Sequence, residues 1–208
     1  MDQELDTSQR ILVESEQLFF RYGVKSITMD EIATHLGISK KTIYQFYKDK
    51  KELVLKVIEN RLFHQEKEIA EIATKASDSI QEIILTSEWL QEFFKNLNPY
   101  LMMEIQKYYP KAYQAFLGYK HKCIFAHIYE NMRKGIESGL YRANIDVDTM
   151  ARLRLISVEA SFNPDNFPIA KNNLKELHVQ LIEHFLYGIC TLKGHKLINK
   201  YKQIKEED

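Results

Sequence analysis

The chain reads as an all-α protein of about nine helices, and three features of the sequence predict this. Glycine and proline are scarce, 7 and 4 among 208 residues, so few positions interrupt a helix. Apolar residues recur at three- and four-residue spacing almost throughout, the period of one helix face and not the alternation of a strand. Side chains able to cap a helix stand just ahead of several of these segments, and glycine follows some of them.

Taken in order, Ile11, Leu12, Ser15, Leu18, Phe19 and Tyr22 share a face of the first helix, which Asp6 and Gln9 open and Gly23 closes. Thr28 stands three residues before Glu31, a capping box in which each side chain satisfies an orphan amide of a helix start. Ser39 caps a third short helix, and Asp49 with Glu52 caps a fourth. Segments 28–36 and 39–46 are therefore two short helices joined at Gly37, which takes a left-handed turn at low steric cost. This is a helix-turn-helix pattern with a small core of Ile32, Ala33, Leu36, Ile38 and Ile43. Its second helix is short and cationic.

Longer helices follow over 49–73, 77–96, 99–107, 110–138, 146–163 and 170–192. The first of these buries Leu53, Val57 and Leu62. The last is strongly amphipathic through Leu174, Leu177, Leu181, Ile182, Phe185, Leu186 and Ile189, with Gly188 open to close helix approach. Residues 198–208 read as a polar tail.

Hydrophobic residues form 45% of the chain and charged residues 28%, a globular balance far from that of disordered segments. Net charge is zero, with 29 residues of each sign, so any nucleic-acid footprint must be local. Residues 36–56 supply one: six lysines against two carboxylates, a net charge of +4. Cys123 and Cys190 match neither a disulfide framework nor a zinc finger, which fits a reducing cytoplasm. The acidic start is unlike a signal peptide, and no apolar run is long enough for a membrane.

At Thr28, Ile32, Ala33, Gly37, Ile38, Ser39, Thr42, Ile43, Tyr44, Phe46, Tyr47, Asp49, Lys50, Lys51, Glu52 and Leu53 the chain resembles the TetR family of bacterial regulators. Its pattern there is roughly T-x-x-x-I-A-x-x-x-G-[VI]-S-x-[GP]-T-[IL]-Y-x-[HY]-F-x-[SN]-K-[ED]-x-L. Three positions depart: Lys41 replaces glycine or proline, and Phe46 and Tyr47 replace a His or Tyr followed by Phe. Lys41 adds a charge to the exposed face of the reading helix. Pro110 opening a helix, and Gly135, Ile136, Gly139 and Leu140 before Asp146, carry the similarity onward more loosely.

The resemblance implies a DNA-binding domain over 1–52 and a helical effector-binding and dimerisation domain over 53–197. It implies that Thr28, Thr42, Tyr44 and Lys50 hold the phosphate backbone of a double-stranded operator, with Lys48 and Lys51 adding charge. Lys40, Lys41 and Gln45 are the candidates for base edges, and Tyr47 is expected in the core. The last long helix resembles the family's dimerisation helix and, with the helix over 146–163, would form a four-helix interface, with Leu153, Leu174, Leu177, Leu181, Phe185 and Gly188 at it. Such a dimer sets two readers roughly 34–36 Å apart on a palindromic site. Trp89, Phe93, Tyr100, Met103, Tyr113, Phe116 and Tyr119 would line a cavity for a small, mainly apolar effector whose binding releases the operator.

No cofactor or metal is expected. Cys123 and His127 have a ligating spacing, but two side chains are not a site. The chain contains no phosphate loop, no GxSxG elbow, no HExxH and no paired Glu-x-x-His motif, so no enzyme is expected. The alternatives are a helical interaction protein that does not bind DNA and, more remotely, a helical-bundle enzyme.

Overall fold

The structure, a computed structural model, describes residues 2–95, 97–161, 166–167 and 174–203. The helices are α1 (Asp2–Tyr22), α2 (Met29–Leu36), α3 (Lys40–Phe46), α4 (Lys50–Lys75), α5 (Ser79–Phe94), α6 (Leu101–Tyr108), α7 (Pro110–Tyr119), α8 (Phe125–Glu137), α9 (Val147–Ser161), α10 (Leu174–Ile189) and α11 (Leu192–Tyr201). A π-helical stretch, Lys120–Ile124, runs without a break from α7 into α8, so the single helix expected over 110–138 is one rod with a π bulge.

Counted by rods, the described residues form ten helices, one more than the sequence pattern predicts. The addition is α11, which Thr191 caps by accepting from the Gly194 amide. It runs into the expected tail and buries Ile198. The expected helix limits at 163 and 170, and residues 204–208 of the tail, lie outside the described residues.

The chain divides into two compact units that do not follow chain order: Met1–Glu66 with Asn96–Tyr119, and Lys67–Lys95 with Lys120–Asp208. The first unit is built on Ile11, Phe19, Ile32, Leu36, Ile43, Leu53, Val57, Leu101 and Ile105, the side chains of α1–α4 and α6 that the helical period turns to one side. Ser15 is buried there as expected, whereas Tyr22 is exposed under the Arg21 guanidinium.

The second unit closes around Ile80, Met132, Tyr141, Ala151, Ile182, Leu186, Ile189 and Ile198. Its polar centre is Tyr141, whose hydroxyl lies 2.9 Å from the Ser79 carbonyl and 3.1 Å from Asn131 Oδ1, while Asn131 Nδ2 donates to the same carbonyl at 3.0 Å. Gly135 is required beside it, because any side chain there would overlap the Tyr141 ring. Tyr141→Phe deletes a buried hydroxyl from a satisfied cluster and should cost about 1–3 kcal/mol, read as a lower denaturation midpoint.

Candidate nucleic-acid interface

Local chemistry shapes the α2–α3 pair. Thr28 Oγ1 accepts from the Glu31 amide at 3.2 Å and Glu31 Oε2 accepts from the Thr28 amide at 2.7 Å, completing the predicted box. Those bonds hold the Glu31 carboxyl below its usual range. Gly37 ends α2 with φ of +67°, left-handed backbone that an L side chain would strain, and the Ile38 amide closes on the Ala33 carbonyl at 3.0 Å. Ser39 then caps α3 through the Thr42 amide at 3.1 Å and meets the Thr42 hydroxyl at 2.8 Å. Ile32, Ala33, Leu36 and Ile43 fill the angle between the helices. Arg10 of α1 adds a tie the sequence pattern does not reveal, donating to the Leu36 carbonyl at 2.6 Å.

With Ile43 buried, α3 turns Lys40, Lys41, Tyr44 and Gln45 to solvent, and Tyr44 keeps 45% of its surface exposed. Thr28 and Lys48 are exposed and Thr42 is half-buried. Lys40, Lys41, Tyr44 and Gln45 therefore share the exposed face of α3, opposite Ile43. Tyr47 instead enters the core, its hydroxyl 3.0 Å from Ser8 Oγ, and burial raises its pKa. The fourth cap is also present: Asp49 Oδ1 accepts from the Glu52 amide at 2.8 Å and Glu52 accepts from the Lys48 amide at 2.6 Å.

Two of the lysines are already engaged. Lys40 Nζ lies 2.7 Å from Asp30 Oδ2 on α2, an exposed pair of modest strength that raises the lysine pKa. Lys50 is turned inward: its Nζ donates to the Val24 carbonyl at 2.5 Å and sits over the Phe19 and Tyr109 rings at 5.9 and 6.0 Å. Burial lowers its pKa. Lys41, Lys48 and Lys51 are exposed and form no ion pair among the described residues.

The turn between α1 and α2 is held from α6, which no local pattern signals. Glu104 Oε2 accepts from the Lys25 amide at 2.8 Å and packs against Gly23, whose φ is +87°. The Asn98 amide donates to the Phe20 carbonyl at 2.6 Å. With Lys50 of α4 bonded to Val24, that helix and the stretch 98–104 together hold residues 20–25 just ahead of α2.

The other expected sites are placed less uniformly. In the first unit Tyr100 and Met103 are 53% and 44% exposed, Tyr119 is buried, and Tyr113 stacks with Phe116 at 6.4 Å. In the second unit Trp89 stacks with Phe93 at 5.8 Å, both half-buried. Leu177 and Phe185 of α10 are buried in their own unit, Leu181 is half-buried and Gly188 is open. The Leu174 side chain lies outside the described ones. On α9, Leu153 and Ile156 are 50% and 59% exposed. Among the described residues no group of three or more His, Cys, Asp or Glu is placed to hold a metal ion, and no helix is long and apolar enough to cross a membrane.

Residues 11–57 match the model of bacterial regulatory proteins of the tetR family, a span that contains α2, α3 and both of their caps. The HTH-type transcriptional regulator YvaF of Bacillus subtilis is 26% identical over 165 residues, covering 76% of this chain and 82% of that protein. A TetR-family transcriptional regulator of Agrobacterium tumefaciens superposes with a TM-score of 0.75 at 15% identity, over 90% of this chain and 100% of that one. FadR of Bacillus subtilis, solved in complex with stearoyl-CoA, superposes with a TM-score of 0.69 at 16% identity, over 87% of this chain and 98% of that one. Residues 11–57 thus carry the helix-turn-helix of the tetR family of bacterial regulatory proteins, and the all-helical chain as a whole is similar in fold to TetR-family transcriptional regulators.

Proposed function

We propose that the protein is a cytoplasmic homodimeric repressor that holds a palindromic operator and releases it on binding a small, mainly apolar molecule. The observation that carries the DNA reading is the joint exposure of Lys41, Tyr44, Gln45 and Lys48 beside the Thr28 and Ser39 helix starts. Hydroxyls and amides at those starts suit phosphate oxygens, and lysine ammonium groups add the salt-dependent part of the affinity. Lys41 and Gln45 are assigned to base edges, glutamine matching adenine and lysine guanine. Lys40 takes part only by exchanging its Asp30 partner for DNA.

The half-exposed Leu153 and Ile156 on α9 support a second copy as partner, since large aliphatic side chains presented together in this way suit an interface. Support for an effector comes from the stearoyl-CoA bound to FadR, a protein of similar fold, and from the stacked aromatic pairs Trp89–Phe93 and Tyr113–Phe116, one within each unit.

Selection of bound duplexes from a random pool, repeated across salt concentrations, tests the reading. A palindrome whose affinity falls steeply with salt is expected, and Gln45→Ala should change the recovered sequence at specific positions. Failure to enrich any duplex at low salt would sink the operator proposal. A paired comparison separates the two lysine environments. Lys48→Ala should weaken all duplexes and reduce the salt slope by about one while leaving the melting temperature unchanged. Lys50→Ala should lower the melting temperature as well, because its ammonium group ties Val24 to two aromatic rings. Equal melting temperatures for both variants would show that the inward tie contributes nothing.

A further inference from the structure

Two cations are buried in the second unit among the described residues, and the fold treats them differently. Lys120 at the π bulge is neutralised, its Nζ 3.0 and 3.1 Å from the two carboxylate oxygens of Glu159. Arg154, on α9, is only 7% exposed and has no carboxylate in ion-pair range among the described residues. Its Nη1 is enclosed with no hydrogen-bond acceptor among the described residues. The contact it does make is with the face of Phe185, 5.7 Å from the ring centroid.

The neighbours define the chemistry. Ser161 lies seven residues beyond Arg154, on the same face of α9, and its Oγ is 2.9 Å from His178 Nε2. His178 in turn precedes Phe185 by seven residues on α10, so the Arg154–Phe185 and Ser161–His178 pairs mark one antiparallel seam. Burial and the nearby guanidinium hold the His178 pKa down to about 4, leaving the imidazole neutral near pH 7, while burial brings Arg154 down only to about 10, leaving it charged. Ala151 and Leu155 of α9 and Ile182 and Leu186 of α10 are among the buried apolar side chains of the same two helices.

A buried guanidinium without a counter-ion is costly, and its planar fork of donors matches a carboxylate in two-point geometry. With His178 neutral, Lys120 offset by Glu159 and the buried Glu82 carboxylate held by His127, Arg154 is the buried cation of this unit that has no carboxylate partner among the described residues. A monoanion balances it, whereas a phosphate dianion would leave a buried negative charge. We propose that Arg154 recognises the carboxylate of a small organic monoacid with an apolar body, bound at the α9–α10 seam beside Ser161 and Phe185. This rests on the effector-responsive reading above and names the chemical class of that effector.

Calorimetric titration of the full-length protein with sodium octanoate, 1-octanol and inorganic phosphate tests the assignment. Octanoate should bind roughly ten-fold or more tighter than octanol, the difference expected of a charge-assisted pair over a neutral hydroxyl, and phosphate should bind weakly. Arg154→Met should abolish the preference for octanoate and Arg154→Lys should retain part of it. Equal affinity for octanoate and octanol in the unaltered protein, no binding of octanoate, tight binding of phosphate, or a preference that survives Arg154→Met would each overturn the proposal. The comparison of octanoate with octanol needs no variant, so it decides even if Arg154→Met does not fold. Release of the selected operator is measured alongside. Arg154-dependent octanoate binding without release would retire the effector reading and keep the site, whereas equal release by octanoate and octanol would keep the effector reading and retire the site.

Discussion

Between pH 6.5 and about 4 the second unit should lose about 3 kcal/mol of stability through His178 alone, the linkage equivalent of its lowered pKa. The sign follows from proton binding. In the unfolded chain the imidazole takes up a proton near its ordinary 6.5, while in the folded chain burial, reinforced by the Arg154 charge, delays this until about 4. The unfolded state therefore binds more protons across that window, and stability falls as pH falls. Above 6.5 both states are neutral at this position and the effect vanishes. His178→Gln keeps a side chain able to hydrogen-bond Ser161 without the titration, so its melting temperature should change much less over the same window. Parallel acid profiles for the two proteins would show that the charge at His178 is tolerated in the fold.

The elements easiest to read in advance were those whose cause is local. Thr28 with Glu31, Gly37, Ser39, and Asp49 with Glu52 act within four residues of themselves, and each appears in the structure as the pattern implied. Tyr47, the C-cap of α3, is buried because it follows the buried Ile43 by four residues, whereas Tyr44 is one residue off that face. Helix α11 escaped because it is short, amphipathic over barely two turns and interrupted by Gly194, which the packing against Leu140 and Cys190 demands. Nothing local announces that Glu104 reaches the Lys25 amide 79 residues away, or that Lys50 turns from the cationic surface to the Val24 carbonyl. The stripe on α10 hid a further ambiguity. It is wide enough to serve two partners, and the structure spends Leu177 and Phe185 inside their own unit. Arg154 sits on the buried face of α9, where its sequence neighbours alone would give no reason to place a charge.

Placing a charge on the exposed apolar face of α9 should have the largest effect on DNA binding of any change away from the reader. Ile156 is 59% exposed and Leu153 is 50% exposed three residues earlier, on adjacent turns of the same face. In a dimer with two-fold symmetry each copy would present this face to its own equivalent, so a single substitution acts twice. Ile156→Glu sets two carboxylates against an apolar surface and should leave monomers in sedimentation equilibrium. The fold should survive, because the side chain replaced makes little of the monomer core. Operator affinity should then fall on the order of 10²–10⁴-fold, since two tethered readers bind the second half-site at high effective concentration and a lone reader does not. Binding to a single half-site should be unchanged, and this control separates a lost dimer from a damaged reader. A dimer that persists in both Ile156→Glu and Leu153→Glu would move the interface to another face, whereas monomers that still bind the full palindrome at undiminished affinity would remove the dimer from the account of DNA recognition.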